Sequence, residues 1–417
     1  MRRTVCLILL LLCCLPILAG CGGRAPEAAP EPSPVPEESA APEPTPDPLR
    51  DRDGMLLFPD GSRYHGYEVQ IALPGLQSTD FDACEALFAA MPNLHTVDLG
   101  EKTPERRLSL ESLEKLQKRF PALDFLYRFT VWGKEVSTAD TALDLKYIQM
   151  NDEGDQVVRA LRCMPHCRYL DMDSCRVSSE AMGRIRDAFP QVEVVWRIWF
   201  GKEFSVRTDV TRIIAGNHLT DRDGEELKYC TKVRLLDVGH NPNLTDISFL
   251  ENMPDLEVLI LAIMPFRDLT PLTNCTKLEY LELCEMQQHP GKVLDLSPLA
   301  GMTGLHHLNI CKLWEVENYE FLETFTELER LWIGCYTYIP KDYIDHLKEV
   351  LPNTVINSWT QVCVTEKWRE DPPGIFVPRY EYLRIQFDYW HFDRSTSYWW
   401  NDPLCQGNID KVYEEKP

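Results

Sequence analysis

The sequence has no cluster of basic residues and none of the common catalytic motifs. It contains 43 Lys and Arg against 65 Asp and Glu, a net charge of −22 with a pI near 4.9. Because phosphate binding needs basic groups gathered on one face, we expect no nucleic-acid partner. There is no G-x-S-x-G, no H-E-x-x-H, no phosphate-binding glycine loop and no evident glycosidase carboxylate pair. We therefore expect a protein that is not an enzyme and needs no cofactor.

The sequence also lacks an apolar run long enough to span a membrane. The run that follows Arg2 and Arg3, "VCLILLLLCCLPIL", is shorter than the ~20 residues a spanning helix needs. A basic start, a short apolar stretch and small residues before a cleavage point are typical of a secretory signal, which we assign to residues 1–20. Its end, "LAGC", resembles a bacterial lipobox. The resemblance implies that Cys21 is acylated and anchors the chain to the extracytoplasmic face of a bacterial cell membrane; an ordinary signal peptide is the alternative.

Aromatic residues are missing from the next segment. Residues 21–50 are rich in Pro and Glu, so they cannot form a core and favour an extended, solvated linker. After it we expect an N-terminal cap at 51–90, a repeat domain at 91–358 and an aromatic C-terminal cap or tail at 359–417.

The cysteine pattern does not suggest a disulfide framework. Four of the 15 cysteines lie within the first 21 residues, which leaves an odd number, 11, for the domain. Most of these fall at apolar repeat positions, so we expect small core residues. Cys284 and Cys311 occupy equivalent places in neighbouring repeats, and a disulfide between them is the alternative. Together with His306 and His307 they lack the short ligand spacing of a metal site, and we expect no metal.

One pattern recurs along most of the chain: an apolar residue, Pro or Thr, any residue, then Leu-x-x-Leu-x-Leu, with some substitutions. A period of 20–29 residues indicates a solenoid, in which the apolar residues of each unit pack only against neighbouring units. The copies are "MPNLHTVDL" (91–99), "MPHCRYLDM" (164–172), "CTKVRLLDV" (230–238), "MPDLEVLIL" (253–261), "CTKLEYLEL" (275–283), "MTGLHHLNI" (302–310) and "FTELERLWI" (325–333).

With the intervening "LTDISFL", "FRDLTPL" and "VLDLSPL", these units resemble the leucine-rich repeats of bacterial internalin-like proteins. The resemblance implies an α/β solenoid with a parallel sheet on its concave face and helices and turns on the convex side. The Asn expected after each strand is present at Asn241, while Cys175, Met264 and Met286 replace it. The alternation of aromatic and plain units is also similar to repeat-bearing lipoproteins of anaerobic gut Firmicutes.

Two longer segments of the first half are versions of one sequence. Residues 113–137 and 182–205 each contain a helical stretch, Phe-Pro, an aromatic strand and Gly-Lys-Glu. Gly133 and Gly201 predict a tight turn that sends the strand back as a hairpin or bulge. Residues 346–358 resemble a third, truncated copy.

The run "VLIL" at 258–261 breaks the alternation expected of a strand with one buried face. Side chains alternate along a strand, so Leu259 and Leu261 should point inward and the residues beside them onto the concave sheet. Exposed apolar and aromatic residues in one block usually mark an interaction site. We therefore expect a protein or peptide ligand there; the alternative is that a terminal segment covers this face. The predicted contacts are Val258, Ile260, Tyr280, Glu282, His307, Asn309, Arg330 and Trp332.

The tail after residue 358 is rich in Trp, Tyr and Phe. Solenoids need an atypical last unit, so we expect a cap. The segment "VPRYEYLRIQF" (377–387) resembles a Pro-Arg-Tyr helix that closes the similar lipoproteins, and this resemblance favours the cap. A second hypothesis is glycan or cell-wall binding by a row of Trp390, Trp399 and Trp400. A third is a structural surface spacer, which predicts a concave face without an apolar patch.

Overall fold

A computed structural model describes residues 47–102, 108–201, 204–216, 219–287, 291–334, 336–359 and Trp368. The predicted signal, the acylation site Cys21 and nearly all of the linker and tail lie outside these residues. The repeat region is part of a single compact unit that begins at Leu49.

The described residues form twenty short strands, most of two to four residues, as expected when each repeat supplies one strand. They are β1 (Leu56–Leu57), β2 (Arg63–Tyr64), β3 (Gln70–Ala72), β4 (Thr96–Glu101), β5 (Asp124–Val131), β6 (Lys134–Ser137), β7 (Ala142–Asp144), β8 (Tyr169–Asp171), β9 (Glu193–Val195), β10 (Arg197–Phe200), β11 (Phe204–Arg207), β12 (Arg212–Ile214), β13 (Leu235–Asp237), β14 (Val258–Ile260), β15 (Tyr280–Glu282), β16 (Leu294–Asp295), β17 (His307–Asn309), β18 (Val316–Glu317), β19 (Arg330–Trp332) and β20 (Val355–Asn357).

Most of these strands form three parallel stacks in sequence order, as a solenoid requires. The stacks are β3-β4-β5, β7-β8-β9 and the seven-stranded β12-β13-β14-β15-β17-β19-β20. Strands β16 and β18 form a further parallel pair. The chain is therefore a leucine-rich-repeat solenoid, as the sequence predicted. Its first parallel strand, β3, lies within the range 51–90 that the sequence assigned to an N-terminal cap.

The convex side changes character along the chain. The first half returns through α-helices, and the second half mainly through short 3₁₀ turns. Three of these turns overlap the ends of the "LTDISFL", "FRDLTPL" and "VLDLSPL" segments. The α-helices are α1 (Phe81–Ala89), α2 (Leu110–Arg119), α3 (Asp155–Arg162), α4 (Ser179–Ala188), α5 (Asp221–Leu227) and α6 (Lys341–Val350). The 3₁₀ turns are Ser78–Asp80, Ser248–Asn252, Thr270–Asn274, Ser297–Leu299 and Glu320–Thr324.

Helix starts follow local capping chemistry. The hydroxyls of Ser109 and Ser178 accept hydrogen bonds from the backbone N–H of Ser112 and Ala181, three residues on, and begin α2 and α4. None of the helices in the described residues has the length and apolar character needed to cross a bilayer.

The two predicted hairpins are confirmed. Strands β5 and β6 pair antiparallel around Gly133, and β10 and β11 pair antiparallel around Gly201. Both glycines have positive φ, 77° and 62°, which glycine adopts without steric cost. The third copy has the helix α6 and the strand β20, and its strand forms the edge of the seven-stranded stack.

The side-chain ladder after the strands is incomplete, as predicted. The Asn241 amide donates to the carbonyls of Ala215 and Val238 at 2.7 and 2.8 Å and accepts from Leu219 N–H at 2.8 Å. Cys175 Sγ donates to the Leu145 carbonyl at 3.0 Å. Thr337, which the sequence did not single out, donates to the Ile310 carbonyl at 2.5 Å. Met264 and Met286 are buried and fill the same places with apolar volume.

Candidate functional site

The seven-stranded stack brings all eight predicted contact residues onto one face. Its strands pair in register, so equivalent residues stand side by side, about 4.8 Å apart. One row across β13, β14, β15, β17 and β19 is Leu235, Val258, Tyr280, His307 and Arg330. The other is Asp237, Ile260, Glu282, Asn309 and Trp332.

The alternation predicted for "VLIL" is confirmed. Leu259 and Leu261 belong to the main core, which runs from Leu56 to Leu351. Val258 and Ile260 belong to a separate cluster on the opposite face of the sheet. We define the concave patch as a set of buried side chains on this face of the stack: the apolar residues Leu235, Val258, Ile260, Ala262, Tyr280, Cys284, Cys311 and Trp332, and the polar residues Glu282, His307, Asn309 and Arg330. Trp368 packs onto this patch.

The concave patch is not open to solvent. All eight predicted contact residues are buried, and Trp368, itself 0 % exposed, is the described tail residue that packs on this face. The Trp368 ring lies 5.4 Å from the ring of Tyr280, 5.2 Å from Trp332 and 6.4 Å from His307, measured between ring centroids. A residue from the predicted C-terminal cap therefore lies over the concave face, whereas the sequence placed that cap against the last repeat.

Polar groups in the concave patch are matched to Trp368. Its indole Nε1 donates to Oε1 of Glu282 at 2.6 Å, and Glu282 is 0 % exposed. The Tyr280 hydroxyl donates to the same carboxylate oxygen. Arg330 Nη1 donates to the backbone carbonyl of Trp368 at 3.2 Å. The side chain and the backbone of Trp368 are therefore both recognised.

One donor of the concave patch has no acceptor. The indole Nε1 of Trp332 is buried and makes no hydrogen bond within the described part of the chain. Its ring nevertheless packs against Trp368. A buried N–H without an acceptor costs free energy, because the group has lost its water.

A second polar cluster, which sequence reasoning missed, lies on β8 and the β10–β11 hairpin. Asp171 and Asp173 are each 2 % exposed. Arg197 Nε and Nη2 lie 2.9 and 2.7 Å from the two carboxylate oxygens of Asp173, and Arg207 Nη1 lies 3.1 Å from Asp171 Oδ2. The only sequence signal was Asp171, at a concave position of "MPHCRYLDM". That position does not indicate that its partner, Arg207, lies in the β10–β11 hairpin.

The electrostatics of this cluster favour the ionised form of Asp173. Burial alone raises the pKa of Asp173, but hydrogen bonds from Arg197 and Ser174 and the charges of Arg197 and Arg207 hold it below its usual value. The pKa of Arg207 is raised, chiefly by its hydrogen bond to Asp209. The cluster fixes the hairpin against the concave sheet with paired charges.

The cysteines of the described residues are buried thiols, including Cys284 and Cys311. The disulfide between those two, which was the alternative to small core residues, is not formed in this structure. Burial raises the pKa of Cys84, Cys230 and Cys275 to about 12. Within the described ranges, no three His, Cys, Asp or Glu side chains are grouped so that they could hold a metal ion.

Comparison with known proteins gives only distant similarity. No protein-family model matches the sequence, and no curated protein matches it. An internalin of Listeria monocytogenes, inlF, is 16% identical over 66% of this chain and 77% of its own, with a TM-score of 0.32. The functional domain of InlJ from the same organism is 12% identical over 64% and 53%, with a TM-score of 0.26. A plant peptide hormone receptor, RGFR1, solved in complex with RGF2, is 14% identical over 65% and 40%, with a TM-score of 0.25.

Proposed function

We propose that this chain is a surface-attached binding protein, not an enzyme, that recognises a protein or peptide ligand on the concave face of its leucine-rich repeats. Its predicted contacts are Val258, Ile260, Tyr280, Glu282, His307, Asn309, Arg330 and Trp332. Acylation at Cys21 would hold it on the outer face of a bacterial cell membrane, with residues 21–50 as the linker.

One observation carries this proposal: the concave face already seats a residue of a polypeptide chain. Trp368 contributes its ring, its indole N–H and its backbone carbonyl to the contacts. Aromatic and Arg residues at the centre of a patch are also the usual carriers of binding energy in protein interfaces. An apolar concave face disfavours the spacer hypothesis, which predicts a face without such a patch.

Glycan binding by the tail remains the second hypothesis. Its residues Trp390, Trp399 and Trp400 lie outside the described residues. A ligand competed away by free sugars would favour it, because sugar faces stack on exposed Trp rings without requiring the concave patch.

The test is capture of ligands by the full chain from host-surface and bacterial-envelope proteins. The baits are the wild type, Trp368→Ala, and Trp368→Ala combined with Arg330→Ala and Trp332→Ala. We expect a protein enriched by Trp368→Ala and lost from the triple variant. If the triple variant still captures a ligand and free sugars compete with it, the binding site lies in the tail. If no bait captures a ligand, the proposal is overturned.

A further inference from the structure

We infer that the concave patch is a binding site for a tryptophan side chain carried on a polypeptide, and that Trp368 is its exchangeable resident. This inference rests on the proposed function and names the chemistry of its ligand. The site would then be closed in cis by Trp368 and opened by a competing partner segment.

The walls of the concave patch fit a large flat ring. The Tyr280 and Trp332 rings approach the ring of Trp368 at centroid distances of 5.4 and 5.2 Å, with interplanar angles of 37° and 52°. His307 stands nearly perpendicular to it, at 79° and 6.4 Å. Such tilted and edge-on arrangements at 4.5–7 Å are those that aromatic pairs favour. A smaller aliphatic side chain would leave part of this volume empty.

The buried carboxylate distinguishes tryptophan from the other apolar side chains. Glu282 accepts from the indole N–H at 2.6 Å in a place without solvent. Phe and Leu have no donor, so either one would leave this carboxylate short of a hydrogen bond. A site built to bond a donor rejects an isostere that lacks it, because the buried partner is then left unsatisfied.

The backbone contact indicates that the ligand is part of a chain. Arg330 donates to the carbonyl oxygen of Trp368, a main-chain group that free indole does not have. Arg330 is itself buried. The site therefore binds both the side chain of Trp368 and the peptide unit attached to it.

The resident does not satisfy the whole site. The Trp332 indole N–H has no acceptor among the described residues while Trp368 is bound. A partner segment that supplies both a tryptophan and an acceptor for this N–H would make one more hydrogen bond than Trp368 does. It must also outcompete a tethered residue, whose effective concentration is on the order of millimolar.

The experiment measures binding of a fluorescein-labelled peptide with the sequence of residues 364–372, VTEKWREDP, to the full chain by fluorescence anisotropy. The chains are the wild type, Trp368→Ala, and the matched control Trp359→Ala, in which a tryptophan 75 % exposed is removed instead. The same peptide with Phe or Leu in place of Trp is the specificity probe. Trp368→Phe is the second variant, should Trp368→Ala lack the circular dichroism of the folded chain.

We expect the Trp peptide to bind Trp368→Ala with a Kd at least about tenfold below that for the wild type and Trp359→Ala, because the variant lacks the tethered competitor, whose effective concentration is on the order of millimolar. The Phe and Leu peptides should bind at least about tenfold more weakly than the Trp peptide. Adding Glu282→Gln to Trp368→Ala should weaken binding of the Trp peptide several-fold, because one of the two carboxyl oxygens is replaced by an amide NH2, which cannot accept the indole N–H.

Equal binding of the three peptides, or no gain on removing Trp368, overturns the inference. The proposed function fails separately. If a protein is captured by the concave face with equal yield from the wild type and Trp368→Ala, the proposed function stands and this inference falls. If the Trp peptide binds as expected while no natural protein is captured, this inference stands and the proposed function falls.

Discussion

The indole Nε1 of Trp368 lies 2.6 Å from Oε1 of Glu282, although 86 residues separate them in the sequence. The same oxygen also accepts from the Tyr280 hydroxyl, so this solvent-free carboxyl group has at least two donors among the described residues. Burying a polar group is costly unless it is hydrogen-bonded. This hydrogen bond therefore holds the Trp368 side chain against the central repeats.

Replacing Trp368 should destabilise the chain. We expect Trp368→Ala to lower the free energy of unfolding by roughly 3–5 kcal/mol, the range for truncating a buried Trp. Chemical denaturation measures it, and Trp359→Ala, at an exposed site, should stay within about 0.5 kcal/mol of the wild type. Equal effects of the two variants would mean that Trp368 does not occupy the concave patch.

The Asn241 side chain should contribute more to the free energy of unfolding than the apolar residues that take its place in other repeats. Asn241→Ala leaves the Leu219 N–H and the Ala215 and Val238 carbonyls without the side chain that bonds them, and each buried unsatisfied group costs about 1–3 kcal/mol. We expect a loss of at least about 2 kcal/mol in the free energy of unfolding. Met264→Leu, a volume-conserving change at the equivalent place, should cost less than about 1.5 kcal/mol. A smaller loss for Asn241→Ala than for Met264→Leu would refute this ranking.

The lowered pKa of Asp173 predicts that the folded chain loses stability in acid. Its pKa in the folded state lies below its unfolded value, so its stabilisation is present at neutral pH and is lost as the pH falls through the folded pKa. The Asp173→Asn variant should be less stable at pH 7 by about 1.5–3 kcal/mol, the range for hydrogen bonds to charged groups. Its stability should also fall less steeply than that of the wild type below about pH 5. Parallel curves for the two proteins in urea titrations at successive pH values would contradict this assignment.

The described cysteines should resist alkylation. Burial raises the pKa of Cys84, Cys163, Cys230 and Cys275 to about 12, so the reactive thiolate is scarce at neutral pH. We expect mass spectrometry after brief iodoacetamide treatment at pH 7.5 to find these four unmodified in the native chain and modified in urea. Rapid native modification of any of them would show that its repeat opens locally.

The Cys21 prediction is tested in cells. Wild-type chain expressed in a bacterium that processes lipoproteins should incorporate a clickable fatty acid and sediment with membranes. Cys21→Ser should lose the label and leave the membrane fraction, while Cys14→Ser, a substitution within the predicted signal, should retain both. Labelling of Cys21→Ser would exclude this residue as the acylation site.

The fold and the orientation of side chains could be predicted because both follow from short-range patterns. A repeat period and strand alternation fix which residues point inward, and the predicted division between Leu259 and Val258 is confirmed by their places in two separate clusters. The hairpins followed from Gly133 and Gly201, where only a local turn was needed.

The closure of the concave patch could not be predicted in the same way. Trp368 lies outside the repeat period, so nothing in its neighbouring sequence indicates which strands it contacts. The sequence raised a covering terminal segment only as an alternative and gave no residue for it. The pairing of Asp173 with Arg197 was missed for the same reason, since a contact between a strand and a hairpin 24 residues away has no periodic signal.

The separation between Glu282 and Trp368 also leads us to expect an order of folding. Strands β14 to β19 pair between neighbouring repeats, and contacts of shorter sequence separation tend to form faster. We therefore expect these strands to pair before Trp368 packs on them. In that interval the apolar surface of the concave patch would be open to association with other chains, and the packing of Trp368 would end that exposure.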